Sequence, residues 1–578
     1  MAEFSANHSS GETAHEFGHG HTPPRPFTRL RHLLRPERRD IATVMVFAFA
    51  VAVLSLATPI AVESLVNTVA FGVLLWPVIV IAAILMVCLG LAAAIRAMQV
   101  YVVECVQRRL FVRVVADYAH RLPRIKLEAF DLRNGPEMVN RFFDVLTFQK
   151  SLAFLLLDGV ALVVTAGVGM VVLAFYHPFL LGFDILLLLM IAFILFVLGW
   201  GGVRSCLHES HVKYEVAAWL EELLRCLRTF KFSQGQNLAL EKADHLANEY
   251  VVARRDHFRV VWRQTVFALG LQVVASTALL ALGGYLVINR QLTLGQLVAS
   301  ELIVSIVVAS VAKLGKYAEA YYDLMTGAEK LGLLTDLPLE REGGESLAQG
   351  VGGMAVRVRA VDNVSHRALP ALADWHLAPN ERVAVVGSQG VGKTTFFELL
   401  CGLREPGRGV VEIDGIDLRG LSLEHLRDQA TLIERPEIFA GTVMQNVRVG
   451  RSHLSPDDVR GALRVVGLLQ VVTGLPQGID TPLSPSGGPL SGSQSVLLTV
   501  ARAVVGRPRL LILDGVLEAL DLRECTDLLS LLFDRSSGWT LLIASTNPVV
   551  IGMCDRILNL SPDQLPESAS QEGQGARP

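Results

Sequence analysis

The sequence is poor in several features that would have pointed to other kinds of protein. Its seven cysteines are scattered through 578 residues with no C-x-x-C pair, which argues against a disulfide framework or a structural zinc site. Only 19% of residues are charged, and the near balance of signs, a net −3, gives no bulk electrostatic reason to bind nucleic acid. Residues 1–26 have no apolar stretch and so are not a signal peptide; they read as a solvated tail carrying His8, His15, His19 and His21. What the chain does have is hydrophobicity. Apolar residues make up 51% and mean hydropathy is +0.43, which excludes a disordered or collagen-like chain and speaks against a wholly water-soluble globule. The length suits about two to four domains.

Six apolar runs account for much of that composition: 41–65, 74–95, 152–176, 179–200, 266–288 and 292–311. Each reaches the roughly 20 residues a helix needs to cross about 30 Å of hydrocarbon. Glu301 interrupts the last run. Residues 27–40 alternate Arg with Leu, as expected of a short basic helix on the inner membrane surface. Residues 96–151 and 201–264 carry ten Lys/Arg each, whereas the three short loops on the other side carry only Arg290. Basic loops stay cytoplasmic, so both termini are expected there, in a multi-pass inner-membrane protein. Four acids fall in or near the spans: Glu63, Asp158, Asp184 and Glu301. They read either as an acidic lining for a cationic cargo or as groups bonded to neighbouring helices and headgroups.

Composition changes near Asp336. Residues 336–351 read as a linker, and 352–561 alternate short apolar strands with helical patterns, the mark of a soluble α/β domain with parallel strands. Residues 562–578 are rich in Pro, Ser, Gln and Gly and read as a disordered tail. Domain one would thus be an all-α membrane domain over 27–335, and domain two an α/β nucleotide-binding domain.

The second domain carries the chemistry. A buried-strand pattern, Arg382–Val386, runs into Gly387-Ser388-Gln389-Gly390-Val391-Gly392-Lys393-Thr394-Thr395 and then a helical stretch. This is G-x-x-x-x-G-K-[ST] in the right strand–loop–helix context. Its glycines let backbone N–H groups curl round phosphate, and the helix that follows points its positive end at the anion. Lys393 would reach the β- and γ-phosphates of ATP, and Thr394 would bind Mg²⁺. Asp514, ending the apolar run Leu510–Leu513, is placed to hold the same metal.

Between these lies Leu490-Ser491-Gly492-Ser493-Gln494. With this motif the chain resembles the ABC transporter family in its exporter class, where six membrane helices precede one ATP-binding domain. The family's usual signature is Leu-Ser-Gly-Gly-Gln. Ile413–Asp417, Ile438–Val443, Thr293–Gln296 and the D-loop Leu520-Asp521 fit as well, in the family's order. The resemblance spans about residues 27–560. It implies a half-transporter that dimerises, with ATP held between one chain's phosphate loop and the signature of the other. Loops near Phe130–Arg141 and Glu222–Gln236 would carry motion to the membrane. The Glu-Ile-Phe-Ala-Gly-Thr stretch is compatible with secretion-type exporters that use a periplasmic adaptor protein. No nucleic-acid partner is implied.

The departures from the family concern hydrolysis. Its usual Glu after Asp514 is Gly515 here, and its switch His is Thr546. The usual Gln after the Leu432-Ile433 strand is replaced by Glu434 or Arg435. Glu518 is a nearby acid, but it falls in the D-loop, which counts against it as a substitute base. No Tyr or Phe offers adenine a clear face, leaving His366 or Trp375. Losing a positioned base costs about 10²–10⁴ in rate. Three readings follow: a slow site paired with an intact partner chain, a slow homodimer, or an ATP-dependent membrane switch that moves no cargo.

The charge asymmetry makes an immediate prediction. Trypsin added to the outside of intact cells should leave residues 96–151 and 201–264 uncut; cleavage there would reverse the assigned orientation.

Overall fold

The structure, a computed structural model, describes residues 26–70, 75–131, 135–232, 234–348, 350, 352–364, 367–521 and 525–560. All of the proposed His-bearing tail 1–26 except Pro26, the proposed tail 562–578, and His366 lie outside these residues. The chain divides into two compact units. The first holds the residues up to 123 and Asn134–Leu337; the second holds Arg124–Arg133 and everything from Pro338.

The described part of the first unit is helical. Six helical stretches are long and apolar enough to cross a membrane: Pro26–Thr68, Trp76–Arg124, Met138–Tyr176, Pro178–Leu198, Gly235–Ile288 and Leu294–Thr335. They overlap the six apolar runs and extend past several of them, because polar sequence continues the same helices. Helix Leu75–Arg121 runs 47 residues and helix Gly235–Ile288 runs 54. The most apolar window of the second stretch is 0% buried inside the protein, with Trp76, Ile84 and Met86 exposed. Such a surface is at rest only against lipid, where each backbone polar group is already bonded within its helix.

Local sequence explains the breaks between these helices. His177 caps the helix Pro178–Ala192, its Nδ1 accepting from the Phe179 N–H at 3.2 Å, and Pro178 takes the first-turn position where no amide is needed. Two π-turns, Leu155–Gly159 and Phe193–Leu198, widen their helices. The first holds Asp158, which accepts from Arg96 at 2.7 Å. Glu63 accepts from the Tyr176 hydroxyl at 2.7 Å. These two acids thus follow the helix-bonding alternative. Glu301 does not break its helix, which runs Leu294–Val311. Asp184 is 3% exposed, and among the described residues neither of its oxygens has a hydrogen-bond partner. The N-terminal helix Pro26–Leu34 is basic as expected, but Arg29 is buried in ion pairs with Glu329 and Asp336 rather than spread on a surface.

The second unit is an α/β domain with eleven described strands: β1 Val356–Val364, β2 Arg367–Leu377, β3 Arg382–Gly387, β4 Val410–Ile413, β5 Ile416–Asp417, β6 Ala430–Ile433, β7 Gly441–Thr442, β8 Pro482–Leu483, β9 Leu510–Asp514, β10 Thr540–Ala544 and β11 Arg556–Leu560. The main sheet is parallel, in the order β11-β3-β10-β9-β6. Its central strands are continuous apolar runs because both faces are covered, and Val383, Ala384, Val385, Leu511, Ile512, Leu541, Leu542 and Ile543 are fully buried. A smaller antiparallel sheet, β2-β1-β4-β5, packs its Val356, Val358, Val411 and Ile413 into the same core as Phe396 and Phe397. Trp375 stands edge-on to Phe396 at 5.4 Å between ring centres.

Residues 124–131, although flanked in sequence by helices of the first unit, are built into the second. Ile125 bridges Leu339, and the Lys126 N–H donates to the Pro338 carbonyl at 3.0 Å. Asp131 receives a two-pronged bond from Arg404, both arms at 2.8 Å, while the Arg404 Nε donates to Glu398 at 2.6 Å. The Arg404 side chain is 2% exposed, and Glu398 belongs to the helix Lys393–Leu400 that follows the phosphate loop. The predicted loop near Phe130–Arg141 overlaps residues 124–131 only at Phe130 and Asp131 and continues in the first unit as the short helix Gly135–Asn140. The one near Glu222–Gln236 falls in the first unit as the short helix Leu227–Lys231 between two long ones.

Arg404→Ala would take a buried cation from the buried Glu398 and from the more exposed Asp131. Breaking a buried pair such as Arg404–Glu398 costs about 3–5 kcal/mol. Urea unfolding of the full chain in detergent should show a clear drop in the midpoint for this domain, and an unchanged midpoint would contradict the assignment.

Candidate functional site

The site is assembled at one edge of the parallel sheet. All five strands of that sheet end on the same side, and β10 lies between β3 and β9. The loop after β3, the residues after β10 and the carboxylate ending β9 are therefore neighbours by construction. Crevices at the carboxyl ends of such strands, where the strand order reverses, are where open α/β sheets bind ligands.

Gly387 ends β3 opposite Leu560 of β11. A Cβ there would stand 2.5 Å from the Leu560 carbonyl oxygen, so only glycine lets the chain turn away. Ser388, Gln389 and Gly390 form the loop, and Val391 folds back with its N–H on the Ser388 carbonyl at 3.3 Å. Gly392 is the N-cap of the helix Lys393–Leu400, which leaves that helix's first N–H groups directed at the loop. The Lys393 ammonium donates to the Gly387 and Ser388 carbonyls at 2.8 and 3.0 Å. Thr394 donates from its hydroxyl to the Asp514 carboxylate at 2.5 Å, and Thr395 is buried behind it. A hydroxyl and a carboxylate side by side are hard oxygen donors, the chemistry that suits Mg²⁺. The residues present fit a metal–nucleotide complex.

Around this core the departures take shape. Gly515 is left-handed, with φ +67°, and caps the short turn Val516–Ala519. A side chain at this position would have open space but a strained backbone. Thr546 follows Ser545 off the end of β10, and its N–H and hydroxyl both donate to Glu518 Oε1 at 2.9 Å. Glu434, exposed just beyond β6, has its carboxyl raised above the ordinary range. Partial loss of water leads, Arg435 opposes it, and Asp514 and Glu398 add repulsion.

The signature lies at another helix start. Leu490 is buried, and Ser491 caps the helix Gly492–Val504. The Ser491 N–H donates to Gln494 Oε1 at 2.8 Å, and the Gln494 N–H donates to Ser491 Oγ at 3.3 Å, a reciprocal capping box. Gly492 and Ser493 are exposed at this helix end. Among the described residues no hydrogen bond joins the signature to the phosphate loop of the same chain. Asp521 is exposed just beyond the turn that carries Glu518.

Trp375 is not available to adenine. It is 5% exposed, packed on Phe396, and its outer face carries the Arg556 guanidinium at 5.9 Å. The bond between Glu518 and Thr546 was not foreseen from sequence. The signal for it was a glycine at 515 followed three residues later by an acid, the spacing of one tight turn.

Comparison with known proteins agrees with this architecture. The ABC transporter family model matches residues 372–518, and the model of the ABC transporter transmembrane region matches residues 41–311. The ATP-dependent lipid A-core flippase of Burkholderia thailandensis is 27% identical over 485 residues, covering 81% of this chain and 80% of that protein. The cyclolysin secretion/processing ATP-binding protein CyaB of Bordetella pertussis is 26% identical over 547 residues, covering 93% of this chain and 76% of that one. A solved structure of a bacterial Atm1-family ABC exporter with ATP bound has the same fold, with a TM-score of 0.80 at 21% identity over 93% of this chain and 99% of that chain. Six apolar helices joined to a single sheet-based ATP-binding domain, matched by both family models, make this chain a member of the ABC transporter family, an exporter-type half-transporter.

Proposed function

We propose that this chain is one half of a dimeric exporter of the inner membrane, with both termini cytoplasmic, which binds MgATP and hydrolyses it slowly. ATP lies on Gly387–Thr395 of one chain and meets Leu490–Gln494 of the other. Thr394 and Asp514 hold Mg²⁺, whose charge offsets that of the phosphates. Closure of the two ATP-binding domains on nucleotide drives cargo outward through the membrane helices.

One contrast supports this reading. The groups that bind phosphate and metal are present and joined, Lys393 to its loop and Thr394 to Asp514, whereas Gly515 and Thr546 stand where the family places its base and its switch His. Binding is kept and chemistry is weakened. Such a site is useful in a heterodimer, where this chain's signature completes the fast site of an intact partner. Serine at 493, a small substitution in an otherwise regular signature, fits that use. The same contrast favours a second reading, an ATP-dependent membrane switch that moves nothing.

Steady-state MgATPase of the purified chain in lipid, beside Lys393→Ala as background, tests the proposal. ATP should bind, and turnover should fall well below about 1 s⁻¹, the low end of ordinary enzymes. Lys393-dependent turnover at or above that rate would show a self-sufficient homodimeric pump instead. Cargo movement in sealed vesicles containing both partners would separate a pump from a switch.

A further inference from the structure

The acid lost at position 515 has a counterpart three residues on. The left-handed Gly515 turns the chain so that the Glu518 N–H donates to the Gly515 carbonyl at 3.2 Å, while the Gly515 N–H donates to Ala544 at the end of β10 at 3.1 Å. This tight turn carries the Glu518 carboxylate across to the residues after β10. There Thr546 fixes it with two bonds, from N–H and from Oγ1, both at 2.9 Å and both on Oε1. Thr546 lies two residues beyond the end of β10, the strand that runs between the one feeding the phosphate loop and the one ending in Asp514. Glu518 is thus held by Thr546 on the sheet edge that also carries the phosphate loop and Asp514. It is exposed, and a Cβ at Gly515 would meet nothing within 4 Å, so there is room for water beside it.

We propose that Glu518 is the general base of this chain's own nucleotide site, with Thr546 as its positioning residue. This rests on the reading that ATP binds at Gly387–Thr395. The two bonds from Thr546 leave Oε2 for a water. As the water oxygen bonds to the γ-phosphorus of ATP, the bond from that phosphorus to the β,γ-bridging oxygen breaks and ADP leaves with the electron pair. The water's proton passes to Oε2, and from there to solvent as phosphate departs.

Single-turnover hydrolysis of γ-labelled ATP by an excess of the full chain in lipid vesicles tests this, with Lys393→Ala as background. Retention of labelled ATP is measured in parallel. Glu518→Gln should lower the Lys393-dependent rate by about a hundredfold or more while ATP retention stays as in the wild type. Glu518→Asp should keep part of the rate. Thr546→Val should lose much of it and Thr546→Ser little. A Glu518→Gln rate that is unchanged or raised would overturn the inference, the raised rate marking a latch. So would a wild-type chain that retains ATP but shows no Lys393-dependent hydrolysis. A wild-type chain that retains no ATP would sink the nucleotide-binding reading itself.

Discussion

The ATP-binding domain depends on the parallel alignment of β3, β10 and β9. Parallel strands place all their carboxyl ends on one edge, and here those ends deliver the phosphate loop, Thr546 and Asp514 as neighbours. None of the three could be moved by a residue without changing which groups meet. The buried runs of these strands fix that register, since a strand covered on both faces has no exposed side to slip toward. Gly387 is the visible consequence. Its lack of a side chain lets β11 lie against β3 at the very point where the chain leaves the sheet to form the loop.

On that edge, one set of groups is complete and another is rearranged. Lys393 is folded onto its own loop, and Thr394 is joined to Asp514. Beyond Asp514 the left-handed Gly515 makes a turn that brings Glu518 to Thr546. Arg404 adds a further link, joining Glu398 behind the phosphate loop to Asp131 in residues 124–131 through one buried cation. Its fork geometry serves two carboxylates at once, which a lysine would not do as well.

Much of this was legible in the sequence, for physical reasons. Six long apolar runs, the G-x-x-x-x-G-K-T loop after a buried strand and the Leu-Ser-Gly-Ser-Gln signature are local patterns, and local patterns are what a sequence displays. What stayed hidden depends on contacts distant along the chain. Glu518 is 28 residues from Thr546, and only the sheet brings them together. Arg404 is 273 residues from Asp131. The sequence offered no clear ring for adenine, and it could not show that Trp375, one of two leftover options, packs against Phe396. Among the intramembrane acids, pairing separated Glu63 and Asp158 from Asp184, a distinction that hydropathy alone does not make.

The proposal made for this exporter half is a nucleotide site that holds ATP better than it cuts it. The central claim is tested most directly by the identity of the nucleotide it retains. The full chain in lipid is incubated with MgATP labelled in both the adenine and the γ-phosphate, then freed of unbound nucleotide. The wait is one in which an enzyme of about 1 s⁻¹ would have turned over many times. The account predicts that the retained nucleotide is predominantly ATP, with both labels in equal amount and lost in Lys393→Ala. Retained ADP, with the γ-label gone, would contradict it.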